Sequence, residues 1–146
     1  MKSSYKQTNY HFQYSIVVDN SQEKVWGFLT NVERWSEWDS ELESSILSEK
    51  FDLGSKGILK PKRGPKLKFY ISELIPNKSY TFIAKMPVGA IEIKRTLEKT
   101  GNQIKFTDDI KFTGFLKRLF GLALGNSFKS VLPEVMNNFK EIVEKE

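Results

Sequence analysis

The sequence predicts an α+β fold, an antiparallel sheet covered by one long carboxy-terminal helix, and three observations predict it. From Ser127 to Glu146, Phe128, Val131, Leu132, Val135, Met136, Phe139, Ile142 and Val143 recur at the i, i+3, i+4, i+7 spacing of one helical face. Lys129, Glu134, Asn138, Glu141 and Lys145 fall on the other face. Between Tyr10 and Thr113 most segments are short and alternate apolar with polar residues at a period of two, the pattern of half-buried strands. The connections carry the Gly, Pro and Asn of tight turns, so consecutive strands pair as hairpins. The apolar stripe of the helix needs cover, and the apolar face of the sheet supplies it.

Composition bounds what such a fold can do. The 146 residues fit one domain, residues 1–146, of a size that buries roughly two-thirds of the surface its unfolded chain exposes; residues 1–8 are expected outside the ordered part. Eleven Phe among 13% aromatic residues predict a core of large, irregular side chains. With no Cys there is no disulfide framework and no thiol nucleophile, and the single His leaves one imidazole base and no His-rich metal site. No metal or cofactor is expected. No apolar run reaches the roughly 18 residues of a membrane span, and Met1 to Tyr10 has no signal-like apolar stretch, so a cytoplasmic location is expected. The net charge of +5 is mild and unevenly spread.

In order, Tyr10, Phe12, Tyr14, Ile16 and Val18 alternate with polar residues in a first strand, which sends His11 to the solvent face. Asp19-Asn20-Ser21 offers cap oxygens for a helix running to about Thr30, burying Val25, Trp26, Phe28 and Leu29. A second short helix or turn carries Val32, Trp35 and Trp38 and closes at Asp39-Ser40. Six strands follow: Leu42 to Ser48, Ser55 to Lys60, Leu67 to Ile75, Lys78 to Met86, Gly89 to Glu98 and Gln103 to Thr113. Phe115 to Gly125 reads as the loosened start of the last helix. Pro133, lacking an N–H for the Lys129 carbonyl, predicts a kink if that helix is continuous.

This order of elements resembles the helix-grip fold of the START-like, or SRPBCC, superfamily of polyketide cyclase, aromatase and lipid-transfer domains. Three local matches carry the resemblance, which spans about Phe12 to Val143. Val25-Trp26-Gly-Phe28-Leu29 with Val32-Glu-Arg-Trp35-Ser-Glu-Trp38 is similar to the family's tryptophan-rich opening. Gly54-Ser-Lys-Gly57 is similar to its glycine-containing third strand, and Ser72-Glu-Leu-Ile-Pro76-Asn-Lys78 to its central hairpin. The resemblance implies a curved seven-stranded sheet, two short helices between strands 1 and 2, and a cavity between sheet and last helix for an apolar or aromatic molecule. It also places Trp35 and Trp38 at the cavity mouth, where packing and gating remain alternatives. Asn31 stands where the family usually has Asp, and no catalytic constellation of the family is evident.

Turn lengths predict what faces that cavity. A two-residue Pro76-Asn77 loop pairs Glu73 with Tyr80, Ile71 with Phe82 and Phe69 with Ala84. A two-residue Pro87-Val88 loop pairs Phe82 with Ile93 and Tyr80 with Arg95. Closing the next hairpin across Thr100-Gly101-Asn102 sets Arg95 opposite Phe106 and Ile93 opposite Asp108. Glu73, Tyr80, Arg95 and Phe106 then form one row, with Asp108 diagonal to Arg95. Such a row is either a buried ion-pair network, with a bulge turning one member outward as a variant, or the polar end of a cavity that orients a ligand. In the second case Arg95 suits a carboxylate, phosphate or enolate oxygen.

The leading expectation is therefore a binding or transport protein for a small hydrophobic or aromatic molecule. Phe69, Ile71, Phe82, Ile93, Phe106, Phe112, Phe128, Leu132, Val135 and Phe139 would desolvate it, and Glu73, Tyr80 and Arg95 would orient it. The alternative is a cofactor-free cyclase or dehydratase with Glu73 or Asp108 as base and Arg95 stabilising an enolate. A third reading uses Lys56, Lys60, Lys62, Arg63, Lys66 and Lys68, a hairpin cluster without acids, to meet a partner. No nucleic-acid motif accompanies it, so a solvated hairpin is expected instead. Phe115 to Leu124 offers weak membrane-surface contact or packing against the sheet edge. Monomer and homodimer remain open.

Overall fold

The computed structural model describes residues 7–86, 89–114 and 126–146. Seven strands form one antiparallel sheet: β1 (His11–Val18), β2 (Leu42–Leu47), β3 (Lys56–Pro61), β4 (Leu67–Ile75), β5 (Ser79–Met86), β6 (Gly89–Thr100) and β7 (Gln103–Thr113). Their order across the sheet is β1-β7-β6-β5-β4-β3-β2, a meander whose first strand crosses to lie beside its last. Between β1 and β2 lie helix α1 (Gln22–Leu29) and a 3-10 helix (Val32–Glu37), and helix α2 (Asn126–Val143) closes the chain. This curved half-barrel around a carboxy-terminal helix is the helix-grip, START-like fold. The Pro87-Val88 loop, Phe115 to Gly125 and the first six residues lie outside the described residues.

Local chemistry accounts for the element ends. Ser21 caps α1 by accepting from the Lys24 N–H at 3.2 Å. At the other end Thr30 returns its own N–H and hydroxyl to the Trp26 carbonyl, which leaves the Leu29 carbonyl free for side chains. Helix α2 buries Leu132, Val135, Met136, Phe139 and Val143, the predicted stripe, and runs through Pro133. Its carboxy-terminal half is tied down: Asn20 Nδ2 donates to the Val143 carbonyl at 2.8 Å, Lys140 Nζ to the Val17 carbonyl at 2.7 Å, and Asn138 Nδ2 to the Trp38 carbonyl at 3.3 Å.

Two registers differ from the sequence reading. Ile71 does face Phe82 and Phe69 faces Ala84, but nearer the turn Glu73 pairs with Thr81 and Ile75 with Ser79. Asn77, at φ 65, is the third residue of a type II turn in which the Lys78 N–H reaches the Ile75 carbonyl at 2.9 Å. Lys78 is thus an extra loop residue, and a bulge between Ile71 and Glu73 restores parity. In consequence Glu73 leaves the inner row: it is exposed and accepts from Thr81 Oγ1 at 2.8 Å. In the last hairpin Thr100 pairs with Gln103 across Gly101-Asn102, two positions from the expected register. Arg95 therefore faces Asp108 directly, and Phe106 faces Leu97.

The expected aromatic core is present. Trp35 packs on Phe82 with centroids 5.0 Å apart, Phe106 on Phe139 at 4.8 Å, and Trp38 edge-on to Phe139 at 5.0 Å. Trp26 is only half-buried and meets Tyr80 edge-on. The third strand shows why its glycine is needed. A Cβ on Gly57 would collide with the Ile46 carbonyl and the ring of Phe69, its partner across β3–β4. Gly57→Ala should accordingly lower stability by about 1–3 kcal/mol, read as a reduced urea midpoint with the slope unchanged; wild-type stability would refute this packing.

Candidate functional site

Since alternate residues of a strand share a face, the inner positions of β5, β6 and β7 present Phe82, Ala84, Ile91, Ile93 and Ile110 together. Opposite them, Phe128, Val131, Leu132 and Val135 come from the first three turns of α2. Leu42, Leu59 and Leu67 close the side formed by β2, β3 and β4. These walls enclose a cavity of about 410 Å³, within the roughly 300–1,000 Å³ of small-molecule sites. A larger open groove of about 840 Å³ lies at the other end, between the start of α1 and the β4–β5 and β6–β7 turns. Exposed turn residues such as Asn77, Lys99 and Asn102 line it, without a buried charge.

The inner end of the cavity is polar. Arg95 is 3% exposed and Asp108 2%. Arg95 Nε donates to Asp108 Oδ1 at 3.4 Å and Nη1 to the Tyr80 hydroxyl at 3.1 Å; Tyr80 in turn donates to the Leu29 carbonyl at 2.8 Å, which also receives Trp35 Nε1 at 2.9 Å. The guanidinium carbon lies 4.8 Å from the centroids of both Trp35 and Trp38 and 5.1 Å from that of Phe82. The charge is thus stacked, paired and hydrogen-bonded. Arg95 Nη2 donates to no described residue, although its side chain borders the cavity.

Two carboxyl groups flank this guanidinium. Burial pushes Asp108 up to about 6; Arg95 pulls it down, and Asp39 and Asp109 add to the rise. Burial likewise raises Asp39, against the opposing pull of Arg95. Burial works against the Arg95 charge, but Tyr80 and Asp108 outweigh it and the group stays protonated above its ordinary range. Burial pushes the Tyr80 hydroxyl up to about 12. At the outer end the lining changes sign and exposure: Lys62 and Arg63, both exposed, stand on the β3–β4 hairpin beside half-buried Glu41 and the exposed Ser127 of α2.

Of the residues anticipated from sequence, Trp35, Phe82, Ile93, Arg95, Asp108, Phe128, Leu132 and Val135 line the cavity. Glu73 does not, because the bulge turns it outward. Phe69, Ile71, Trp38, Tyr80 and Phe106 are buried but pack in the aromatic core behind the wall instead of lining it. Trp38 is fully buried against Phe106, Phe139 and Arg95, and its Nε1 has no acceptor among the described residues. Asp39, Lys62 and Arg63 were not anticipated as lining. Asp39 carried only the signal of a helix-closing residue after Trp38, and the two cations belonged to a hairpin expected to be merely solvated. No cluster of three or more metal-ligating side chains occurs among the described residues, and no described helix is long and apolar enough to cross a membrane.

This fold and inward-facing site define a START-like helix-grip protein of the SRPBCC type. Residues 10–144 match the model of the family described as polyketide cyclase / dehydrase and lipid transport, and the chain belongs to that family. No curated protein matches the sequence. Protein MLL2253 of Mesorhizobium loti superposes with a TM-score of 0.76 at 16% identity, over 92% of this chain and 97% of that one. A START superfamily protein of Mycobacterium smegmatis gives 0.75 at 11% identity, over 92% and 97%. The di-domain ARO/CYC StfQ of the steffimycin biosynthetic pathway gives 0.73 at 10% identity, over 93% of this chain and 51% of that one, so this chain spans about half its length. At such identities the likeness is one of fold.

The raised Asp108 makes a signed prediction. A carboxyl that titrates near 6 when folded and near 3.8 when unfolded holds more protons in the native state between those values. Its contribution therefore favours folding below about pH 4 and is lost as pH rises towards 6. Asp108→Asn should lower stability at neutral pH, where it removes the partner of Arg95. The deficit relative to wild type should be larger near pH 4 than at pH 7, as measured by urea denaturation across that range. A deficit that does not vary with pH would show that Asp108 titrates normally.

Proposed function

We propose that the chain binds a small, largely apolar or aromatic molecule between the sheet and α2, as a carrier or sequestering protein. One observation carries this reading: an apolar cavity of about 410 Å³ ends on a buried polar group, Arg95 with Asp108, that has donor capacity left over. A core packed to ordinary density leaves no such space. Desolvation by the apolar walls would supply affinity and the inner polar end orientation. The family's description, which joins cyclases and dehydrases with lipid transport, supports the same class of occupant.

A second reading has a specific observation behind it. Asp108 is pushed up to about 6 beside a fixed guanidinium. A carboxylate with a proton affinity near neutrality is suited to general acid–base work, and Arg95 could stabilise an oxyanion formed next to it. Glu73, outside the cavity, has no part in this chemistry.

Occupancy can be tested with the neutral fluorophore N-phenyl-1-naphthylamine. Wild-type protein should enhance and blue-shift its emission at micromolar concentration. Val131→Trp, which places a large ring in the cavity from a half-buried position of α2, should reduce that binding at least tenfold while the melting temperature is retained. Equal binding by the variant would place the probe elsewhere and remove the basis of this proposal.

A further inference from the structure

The two ends of the cavity differ in the ligand charge they tolerate. Among the described residues Arg95 is the sole cation at the inner end, and its charge is already engaged by Asp108, by the Tyr80 hydroxyl and by the faces of Trp35 and Trp38. Asp108 borders this end and Asp39 stands between it and the rim, within the field of Arg95 as well as of Lys62, so the guanidinium is already faced by two carboxyl groups. Burial resists a further unpaired ion. An anion placed there would meet carboxylates across a low-dielectric space, whereas a neutral carbonyl or hydroxyl oxygen can take the free Arg95 Nη2 donors.

The outer end is the reverse. Lys62 and Arg63 border the cavity and are exposed. Neither forms an ion pair with a described residue, in contrast to Lys60, which sits 3.8 Å from Glu43. Their backbone is held in place because the Lys62 N–H donates to the Glu41 carbonyl at 3.0 Å, so the two cations stand at the rim on an anchored strand end. Lys66, on the same hairpin, is also exposed and unpaired among the described residues; Glu41 lines this rim, and Asp39, which accepts from the Glu41 N–H at 3.0 Å, feels the charges of both Lys62 and Arg95. Just inside, Pro61, Leu67, Phe128 and Val131 are apolar and half-buried.

Building on the cavity reading above, we propose that the occupant is an amphiphile with an acidic end. Its apolar body enters first, and its carboxylate or phosphate stays at the rim between Lys62 and Arg63. The inner Arg95 then selects for a neutral oxygen on the buried part, and the hairpin cations select for the anion. Arg95 is thereby removed from the role of anion receptor, which passes to residues of an exposed hairpin.

The experiment is displacement of N-phenyl-1-naphthylamine by decanoate, decanol and decylamine. It compares wild type with the double variant Lys62→Gln/Arg63→Gln and the charge-keeping control Lys62→Arg/Arg63→Lys. Because both positions are exposed, the fold should be unaffected, which melting temperatures verify. In wild type decanoate should compete best and decylamine worst. The advantage of decanoate over decanol should fall about five- to tenfold in the Gln variant, survive in the control, and shrink in high salt. A ratio that is the same in wild type and Gln variant overturns the inference while leaving the cavity reading intact. Failure of the wild type to bind the probe overturns both. Salt-sensitive association with phosphatidylglycerol vesicles that depends on Lys62 and Arg63, without any decanoate preference, would assign the cations to a membrane surface and likewise overturn it.

Discussion

The architecture depends on one buried positive charge. Arg95 is buried within the sheet, where an isolated guanidinium would be very costly. Each offsetting contact comes from a different element: Asp108 from β7, the Tyr80 hydroxyl from β5, and the rings of Trp35 and Trp38 from the segment between α1 and β2. The chain of donors continues to the Leu29 carbonyl at the carboxy-terminal end of α1, the end whose unpaired acceptors and dipole favour a positive neighbour. The same carbonyl receives the Trp35 indole, so one acceptor ties the short helices to the sheet and indirectly to the charge. The polar group at the base of the cavity is thus also the joint between helices and sheet.

Much of this could be read from the sequence, and the errors are specific. Period-two alternation located all seven strands, and the helical stripe from Phe128 to Val143 named the residues that α2 buries. The Tyr80–Arg95 and Phe82–Ile93 pairs followed correctly from turn length. Glu73 was misplaced because Pro76-Asn77 looks like a complete two-residue loop. Whether Lys78 also belongs to the loop depends on Asn77 adopting φ 65, and no pattern in the flanking strands marks the bulge that compensates. The slip in the β6–β7 hairpin was two residues, which keeps every side chain on its own face. It left the core prediction intact while moving Asp108 from a diagonal to a direct neighbour of Arg95.

Cavity lining was harder to read than burial, for a physical reason. Phe69, Ile71, Tyr80 and Phe106 have the same parity and apolarity as Phe82 and Ile93, and local pattern does not distinguish a side chain behind the wall from one in it. The difference arises from where the rings of Trp35 and Trp38 fill space, which is a tertiary outcome. Asp39, Lys62 and Arg63 escaped for the opposite reason: they belong to loops, where periodicity carries no information about facing.

Pro133 falls between two parts of α2 that have different neighbours. Beyond it, Met136, Phe139 and Val143 enter the aromatic core, and Asn20, Trp38 and Val17 hold the helix by hydrogen bonds. Before it, Phe128 and Val131 border the cavity and are only half-buried, with Phe128 packed on Phe112 at 6.1 Å. Substitutions at Val131, or on the facing hairpin, alter the shape and charge of the opening without touching the hydrogen bonds that keep the helix in place. Over generations, drift in what such a chain accommodates can therefore proceed largely apart from drift in whether it folds, because the residues at the opening are not those that anchor the helix.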